Sequence, residues 1–199
     1  LDYILSEQED DGAWFGRWGV NYTYGTGAVL PALAALGMDL DTDYAERAVR
    51  WVLDHQNVDG GWGESCASYV DPRFRGKGPS TASQTAWTLL ALLAADQGDR
   101  APSVAGGVGY LVSTQQSDGS WNEPYYTGTG FPGYGVGRRL SRYLTPDDSG
   151  YQGTELPAGF MINYHMYRNY WPLMALGRYR RLLAGERVPA RRARSAIRS

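Results

Sequence analysis

The sequence predicts an all-α protein made of helical hairpins, arranged as about half of a six-hairpin α/α barrel. A motif of the form Gln-x-x-Asp-Gly-x-Trp occurs three times with identical internal spacing, beginning at Gln8, Gln56 and Gln115. Each copy precedes an apolar stretch of helical length, and amphipathic helices lead into the second and third copies. This recurrence is typical of an array of similar units. Apolar inner helices would then line the axis, and amphipathic outer helices would face water.

The first unit contains a short helix, a tight turn and an inner helix. The helix runs from Leu1 to Gln8, and Asp11-Gly12 suits the positive φ that a tight turn requires. The stretch 28–36 has no polar face, which predicts a helix buried on all sides. Because Pro31 fits a helix only in its first turn, we expect the helix to begin at residues 28–30, and Gly37 to end it.

The later units follow the same plan. Residues 41–55 place apolar side chains at helical spacing between charged ones, which predicts a half-exposed outer helix. Thr81-Ala82-Ser83-Gln84 has the form of a capping box and precedes the second inner helix, residues 85–95. Residues 102–114 predict another outer helix, with an apolar side made of Val104, Val108, Leu111 and Val112. We expect a third inner helix over 160–179, bent at Pro172, after an irregular insertion over 134–159.

Composition narrows the class of protein. The 199 residues are 43% hydrophobic, as in globular proteins, and no run approaches the roughly 18 apolar residues that span a bilayer. The single Cys66 excludes an intrachain disulfide and a multi-cysteine zinc site, and indicates a reduced thiol in an intracellular protein. His55 and His165 lack metal-ligand spacing, so no metal or cofactor is expected. Leu1 lies inside a helical pattern, and we therefore expect sequence upstream of it.

Charge is distributed unevenly along the chain. Eight arginines and one glutamate lie between Arg178 and Ser199, giving +7 there against −9 for the rest. We expect 1–185 to form the folded part and 186–199 to be a disordered basic tail, which is compatible with anionic lipid headgroups. Nucleic acid is not expected as a partner, because the body is acidic and the aromatics do not interleave with the arginines.

Three segments together resemble the squalene-hopene cyclases and, more widely, the triterpene cyclases. They are the three Gln-x-x-Asp-Gly-x-Trp turns, the run from Trp14-Phe15-Gly16-Arg17-Trp18-Gly19 to Tyr24-Gly25-Thr26-Gly27, and the run Asp118-Gly-Ser-Trp-Asn-Glu-Pro-Tyr-Tyr-Thr-Gly-Thr-Gly-Phe-Pro-Gly133. The similarity covers nearly the whole chain apart from 134–157 and the basic tail. It corresponds to the carboxy-terminal third of such an enzyme, the last half of its catalytic α/α barrel domain.

The resemblance implies a chemistry. Such enzymes fold squalene, or another linear polyene, in a dry aromatic cavity, protonate one end, and close rings through carbocations to give hopene or hopanol. Aromatic faces stabilise a cation by about 2 kcal/mol or more once water is excluded, without acting as bases. A chain with 13% aromatic residues, 15 of its residues being tyrosines, suits this task.

The resemblance also implies site residues. Trp18 would contact the substrate near the initiating end, and Phe131 and Phe160 would stabilise later cations. Tyr164 and Tyr167 would lie near the region of protonation and early cyclisation, on one helix face with Phe160. Ile162 and Tyr24 would be further wall positions. On spacing alone these side chains would be ordinary core residues, so their assignment depends on the resemblance.

The Gln and Trp residues of the three turns are expected to be structural. A Gln amide that packs on the indole and bonds helix-end backbone groups would tie neighbouring outer helices together. The residues concerned are Gln8, Trp14, Gln56, Trp62, Gln115 and Trp121.

One feature of the family is missing from the sequence. The initiating acid belongs to an Asp-x-Asp-Asp motif, which does not occur here. We therefore expect the acid upstream and this chain alone to be inactive, unless Asp71 or Glu123 acts in its place. The resemblance further implies a monotopic protein on the cytoplasmic face of the membrane, and a homodimer for the full-length form. The alternatives are a prenyltransferase β-subunit-like barrel with zinc near Cys66, and a non-catalytic α/α scaffold.

Overall fold

The computed structural model describes residues 1–69, 71–95, 102–130, 155–156 and 159–186. Six α-helices lie in these ranges: α1 Asp2–Ser6, α2 Tyr22–Ala35, α3 Asp43–Asp54, α4 Ala82–Ala94, α5 Pro102–Thr114 and α6 Tyr167–Leu183. Two 3-10 turns, Cys66–Tyr69 and Pro72–Phe74, lie between α3 and α4. Three short strands are also present: β1 Gly128–Gly130, β2 Glu155–Leu156 and β3 Gly159–Ile162.

Helices α2 to α5 alternate between two environments, as predicted, whereas α6, the third inner helix, buries only Pro172 and Ala175. The inner helices form a row in which α4 packs between α2 and α6. All of α4 up to Leu92 is buried, whereas α3 buries one side only, which includes Ala48 and Val52. In α5, Val104 and Leu111 are buried as expected, but Val112 is 60% exposed. The inclusion of Val112 in the buried side was therefore wrong, because that side of α5 is narrower than the sequence pattern indicates.

The three repeated turns have the same geometry. In each, the aspartate carboxylate accepts a hydrogen bond from the backbone N–H two residues later, at 3.2, 3.0 and 2.9 Å. The glycine after each aspartate has positive φ, at 97° for Gly12, 85° for Gly60 and 84° for Gly119. The prediction of a tight turn at Asp11-Gly12 is therefore confirmed, and the other two copies repeat it.

The tryptophan of each turn joins the outer helix before it to the inner helix after it. Each indole N–H donates to the carbonyl ten residues earlier, at 2.7 Å for Trp14 and Trp62 and 2.8 Å for Trp121. The backbone N–H groups of Trp14 and Trp62 donate to the hydroxyls of Thr26 in α2 and Thr85 in α4. Outer helix, turn and inner helix are thus bonded into one unit.

The glutamine of each of the first two turns reaches the next outer helix. The Gln8 amide donates to the carbonyl of Tyr44 at the start of α3, and the Gln56 amide donates to that of Ser103 at the start of α5, both at 2.8 Å. Gln115 donates to Gly119 within its own turn. The glutamine bonds therefore connect consecutive units.

The first inner helix departs from the prediction. It begins at Tyr22, so Pro31 lies in its interior and not in its first turn. The start is fixed by Glu64, whose buried carboxylate accepts hydrogen bonds from the backbone N–H groups of Asn21 and Thr23 and from the Thr23 hydroxyl. The prediction of burial on all sides was also wrong, because Leu36 is 67% exposed. Gly37 ends the helix as predicted, with φ of 75°.

The start of the second inner helix agrees with the prediction in part. The Thr81 hydroxyl accepts a hydrogen bond from the Gln84 N–H, as in a capping box. The Gln84 side chain, however, bonds the backbone of Glu64 and Val20 in place of the Thr81 N–H. A second buried glutamate, Glu123, accepts from both the N–H and the hydroxyl of Ser83 at 2.8 Å.

The segment before α6 was predicted wrongly as a helix. Residues 159–162 form β3, which pairs antiparallel with β1 and β2 in the order β1-β3-β2. The register places Ile162 opposite Gly128 and Phe160 opposite Gly130. Part of the insertion over 134–159 is therefore strand and not irregular. The rest of that insertion lies outside the described residues, as do residues 187–199 of the tail.

Candidate functional site

Six aromatic rings form a connected cluster where the three inner helices meet. Trp87 of α4 lies at its centre, with ring centroids 4.9 Å from Tyr24 of α2, 5.8 Å from Tyr167 of α6 and 6.2 Å from Trp171 of α6. Tyr164 stacks on Tyr167 at 4.5 Å. The sixth ring, Tyr170, contacts both Tyr167 and Trp171. Most of these pairs are edge-to-face, the arrangement that aromatic quadrupoles favour.

Two glycines allow the rings to approach the backbone closely. A Cβ at Gly19 would overlap the Tyr24 ring, and one at Gly128 would overlap the Tyr164 ring. Gly19 and Gly128 also pair with each other in an isolated antiparallel bridge. At these two glycines, the rings of Tyr24 and Tyr164 lie directly against the backbone of the loop before α2 and of strand β1.

Two tyrosines of the cluster, Tyr24 and Tyr167, stay neutral at physiological pH. Burial raises the pKa of Tyr167 to about 12, with a further contribution from nearby Tyr170. Burial also raises the pKa of Tyr24, assisted by Tyr164. A neutral phenol presents its ring without a phenolate that would remove a proton from a neighbouring cation.

Trp18 lies on the loop between the first turn and α2, and its side chain is 38% exposed. The loop is bonded to β1, because Thr129 N–H donates to Trp18 O at 2.8 Å and Val20 N–H donates to Thr127 O at 3.0 Å. The Tyr69 hydroxyl lies within 2.8–3.3 Å of the carbonyl oxygens of Gly16, Arg17 and Gly19. Tyr69 is fully buried, and that burial raises its pKa well above the usual range.

The structure brings some of the predicted site residues together. Tyr24, Tyr164 and Tyr167 belong to the aromatic cluster, although Tyr164 lies in the loop before α6 and not on a helix face with Tyr167. Ile162 is half-buried in β3, opposite Gly128. Phe160 also lies in β3, and Phe131 is outside the described residues.

Three members of the cluster were missed from the sequence: Trp87, Tyr170 and Trp171. Trp171 follows Tyr167 by four residues, so helical spacing could have found it. Trp87 is the single aromatic residue of α4, and only the packing of α4 between α2 and α6 reveals its position. Among the described residues, the indole nitrogen of Trp87 is buried without a hydrogen-bond partner. The ring at the centre of the cluster is therefore held by its contacts with other rings and not by a hydrogen bond.

A separate groove of about 810 Å³ lies near the carboxyl end of α2 and alongside α3. Its lining includes Leu40, Val49, Arg50 and Leu53, and no aromatic side chain. The groove has no ring face to stabilise a carbocation, and its carboxylates, from Asp39, Asp41 and Glu46, would trap or deprotonate one, so we do not place the site there. Within the described ranges, no group of three or more His, Cys, Asp and Glu side chains is placed to hold a metal ion. None of the described helices has the length and apolar character to cross a bilayer.

Comparison with known proteins identifies the fold family. The sequence model of the squalene-hopene cyclase C-terminal domain matches residues 1–138 and 138–181, which is most of the chain. This chain belongs to the squalene-hopene cyclase family. The zinc-dependent prenyltransferase alternative is therefore set aside, and the α/α barrel class is confirmed.

Individual relatives agree with the family match. The squalene-hopene cyclase of Alicyclobacillus acidocaldarius is 51% identical over 92% of this chain, and that of Zymomonas mobilis is 43% identical over 92%. The dammaradiene synthase of Dryopteris crassirhizoma is 40% identical over 94%. The chain spans about a quarter of the length of these relatives, at 25%, 24% and 26% respectively.

Solved structures support the fold. A type II terpene cyclase from Scytonema, in complex with geranylgeranyl dihydroxybenzoate, has a TM-score of 0.61 and 21% identity. The match covers 89% of this chain and 48% of that one. At this identity the similarity concerns the helical architecture alone.

Proposed function

We propose that this chain forms part of the cavity wall of a triterpene cyclase that acts on squalene. Loss of a proton from the final cation gives hopene, an isomerisation, and addition of water to that cation with loss of a proton gives hopanol. The observation that supports this proposal is the aromatic cluster contributed by three neighbouring inner helices. Its rings include Tyr24 from α2, Trp87 from α4 and Tyr167 from α6. The high identity to squalene-hopene cyclases supports the choice of substrate.

The chemistry of the cluster suits a carbocation. Ring faces attract positive charge through their quadrupoles, by about 2 kcal/mol or more where water is excluded. Indoles and neutral phenols are weak bases, so a cation near them is stabilised without being quenched by proton loss. The raised pKa values of Tyr24 and Tyr167 keep those phenols neutral across the physiological range.

The initiating acid is not provided by the described residues in our proposal. Glu123 is buried and burial raises its pKa, but its two oxygens accept hydrogen bonds from Ser83 and Thr127. Asp71 is paired with Arg73, whose hydrogen bonds lower the Asp71 pKa, which makes it a poor proton donor. We infer that the acid comes from an Asp-x-Asp-Asp motif outside these 199 residues, and that the chain alone is inactive.

The surroundings of the enzyme follow from its water-insoluble substrate. We propose a peripheral, monotopic association with the cytoplasmic face of the membrane, assisted by the arginine-rich residues 178–199. A homodimer of the full-length enzyme is part of the same proposal.

The test is squalene turnover, measured by solvent extraction and mass spectrometry. One sample is the chain alone, and the other is a chimera in which residues 1–181 replace the matching segment of the Alicyclobacillus acidocaldarius enzyme. We expect cyclised product from the chimera only. Product from the chain alone would overturn the inference about the acid, and a folded chimera without product would favour the non-catalytic scaffold.

The aromatic cluster is tested in the same chimera. Tyr167→Ala should lower turnover by about tenfold or more, since about 1.4 kcal/mol of lost cation stabilisation corresponds to a factor of ten. The matched control is Tyr3→Ala, because Tyr3 is a solvent-exposed tyrosine of α1 outside the cluster. Equal turnover in the two variants would argue against the cluster as the cavity wall.

A further inference from the structure

The backbone of Trp18 is held by hydrogen bonds on both sides of the residue, which fixes the direction in which its side chain leaves the chain. The side chain itself is 38% exposed. The direction of a Cα–Cβ bond depends on the two peptide planes that flank the residue. In this structure both planes are held by hydrogen bonds from outside the loop.

Thr129 of β1 provides two of those bonds. Its hydroxyl donates to Arg17 O at 2.7 Å, which fixes the peptide plane before Trp18. Its backbone N–H donates to Trp18 O at 2.8 Å, which fixes the plane after Trp18. Thr129 is fully buried, so water does not compete for these bonds.

Tyr69 bonds the same loop through its hydroxyl. Its hydroxyl lies 2.8 Å from Gly19 O and 3.1 Å from Gly16 O, so one donor serves carbonyls on both sides of Trp18. The Thr129 hydroxyl also lies 3.4 Å from the Tyr69 hydroxyl, which links the two groups. Because Tyr69 is buried and its pKa is raised, its proton remains available to the carbonyls over the physiological range.

From this geometry we propose that Tyr69 and Thr129 are positioning residues, which fix the backbone from which the Trp18 side chain extends and thereby place its ring in the proposed substrate cavity. We call the hydrogen bonds from Tyr69 and Thr129 to the backbone around Trp18 the clamp. The catalytic effect of the clamp rests on the proposed function, whereas its hydrogen bonds are features of the structure. Neither residue touches the reacting carbons in this scheme. A misplacement of about 1 Å in a positioned group can lower a rate on the order of a hundredfold, so the clamp affects turnover through Trp18.

The clamp is tested directly by ¹⁹F NMR of the chain labelled with 5-fluorotryptophan. The sequence has seven tryptophans, and loss of one resonance in Trp18→Phe assigns Trp18. Thr129→Val keeps the shape and removes the hydroxyl, and Tyr69→Phe does the same for the phenol. We expect the Trp18 resonance to shift or split in both, and to keep its position in Thr129→Ser. An unchanged Trp18 resonance in both hydroxyl-deletion variants would overturn the clamp.

The catalytic consequence is tested in the chimera. Thr129→Val should lower kcat by about ten- to a hundredfold with little change in KM, and Thr129→Ser should restore it. In a Trp18→Phe background, Thr129→Val should cause no further fall in kcat. Additive losses would show that Thr129 acts through the fold in general, and would overturn its positioning role.

The two experiments separate the failure of this inference from that of the proposed function. If Trp18→Phe leaves turnover intact, Trp18 has no part in the cavity and the positioning role is overturned with it. If the chimera turns over squalene and depends on Trp18, but the Trp18 resonance is unchanged by Thr129→Val and Tyr69→Phe, only the positioning role of Thr129 and Tyr69 is disproved. Circular dichroism of each variant confirms that the fold is present.

Discussion

The carboxylate of Glu64 accepts a hydrogen bond from the backbone N–H of Thr23 at 2.8 Å, across 41 residues of sequence. The same oxygen also accepts from the Thr23 hydroxyl and from Asn21 N–H. The first N–H groups of a helix have no partners within it, and its amino end carries partial positive charge. Glu64, two residues after the second repeated turn, therefore stabilises the start of the first inner helix.

Replacing Glu64 by glutamine should destabilise the chain. All three bonds end on one oxygen, which an amide can replace, but a neutral amide accepts more weakly than a carboxylate and loses the attraction to the positive helix end. We therefore expect a loss of about 1–3 kcal/mol in the free energy of unfolding. Urea unfolding followed by circular dichroism measures this. The control is Glu186→Gln, in which an exposed ion pair with Arg181 is lost at a cost of about 0.5 kcal/mol or less. Equal losses of unfolding free energy in Glu64→Gln and Glu186→Gln would contradict the role of Glu64 as a helix cap.

Glu123 should make stability depend on pH. Burial raises its pKa in the folded state, and the hydrogen bonds from Ser83 and Thr127 oppose this shift without cancelling it. The Glu123 carboxyl therefore keeps its proton to higher pH in the folded chain than in the unfolded chain. Its contribution to the free energy of unfolding is fully present below the unfolded pKa and is lost as pH rises through the folded pKa. Urea unfolding should show a free energy of unfolding that falls between pH 4 and pH 8, and this fall should be absent in Glu123→Gln. The same pH profile in both proteins would refute the prediction.

The glycines of positive φ should differ in their tolerance of a side chain. Gly37 has φ of 75°, and a methyl group added to its Cα would have no other atom within 4 Å, so Gly37→Ala should cost about 1–2 kcal/mol from backbone conformation alone. At Gly60 a Cβ would lie 2.5 Å from the carbonyl oxygen of Gly106, in α5. Gly60→Ala should therefore cost a further 1–3 kcal/mol or so. Thermal and urea unfolding of the two variants compare these effects.

Cys66 should be unreactive in the folded chain. Burial, followed by the charge of Glu64, raises the pKa of its thiol to about 12. At pH 8 the thiolate fraction is then on the order of 10⁻⁴, so reaction with a disulfide reagent should be slow. Cys66 is the single cysteine of the sequence, so the labelling rate reports this site alone. Rapid labelling without denaturant, matching the rate in concentrated guanidinium chloride, would contradict this expectation.

Local features of the fold were predictable from the sequence because their determinants are local. The bounds of α5 at 102–114 and the Asp-Gly turns depend on residues that are neighbours in the chain. The start of α2 did not follow from its own residues, because Glu64 supplies the cap from the next unit. The strand over 159–162 depends on pairing with 128–130, which the apolar pattern does not reveal.

The residues of the candidate site were also predictable only in part. Tyr164 and Tyr167 could be selected through the resemblance to a family, and the structure stacks their rings. Trp87 could not be selected, because nothing in α4 distinguishes an indole that faces other aromatics from one buried among aliphatic side chains. The roles of Tyr69 and Thr129 depend on hydrogen bonds that join segments 50 or more residues apart.

The repeated turns have a consequence for how the chain opens. Each of the last two turns bonds its own helices and also caps the inner helix of the unit before it, through Glu64 or Glu123. In many repeat proteins a unit contacts its neighbours only through packing, and terminal units can fray separately. Here the loss of one turn removes the cap of the preceding helix as well. Amide protons of α2 and α4 should therefore exchange with solvent in one cooperative event, as a single unit of local unfolding.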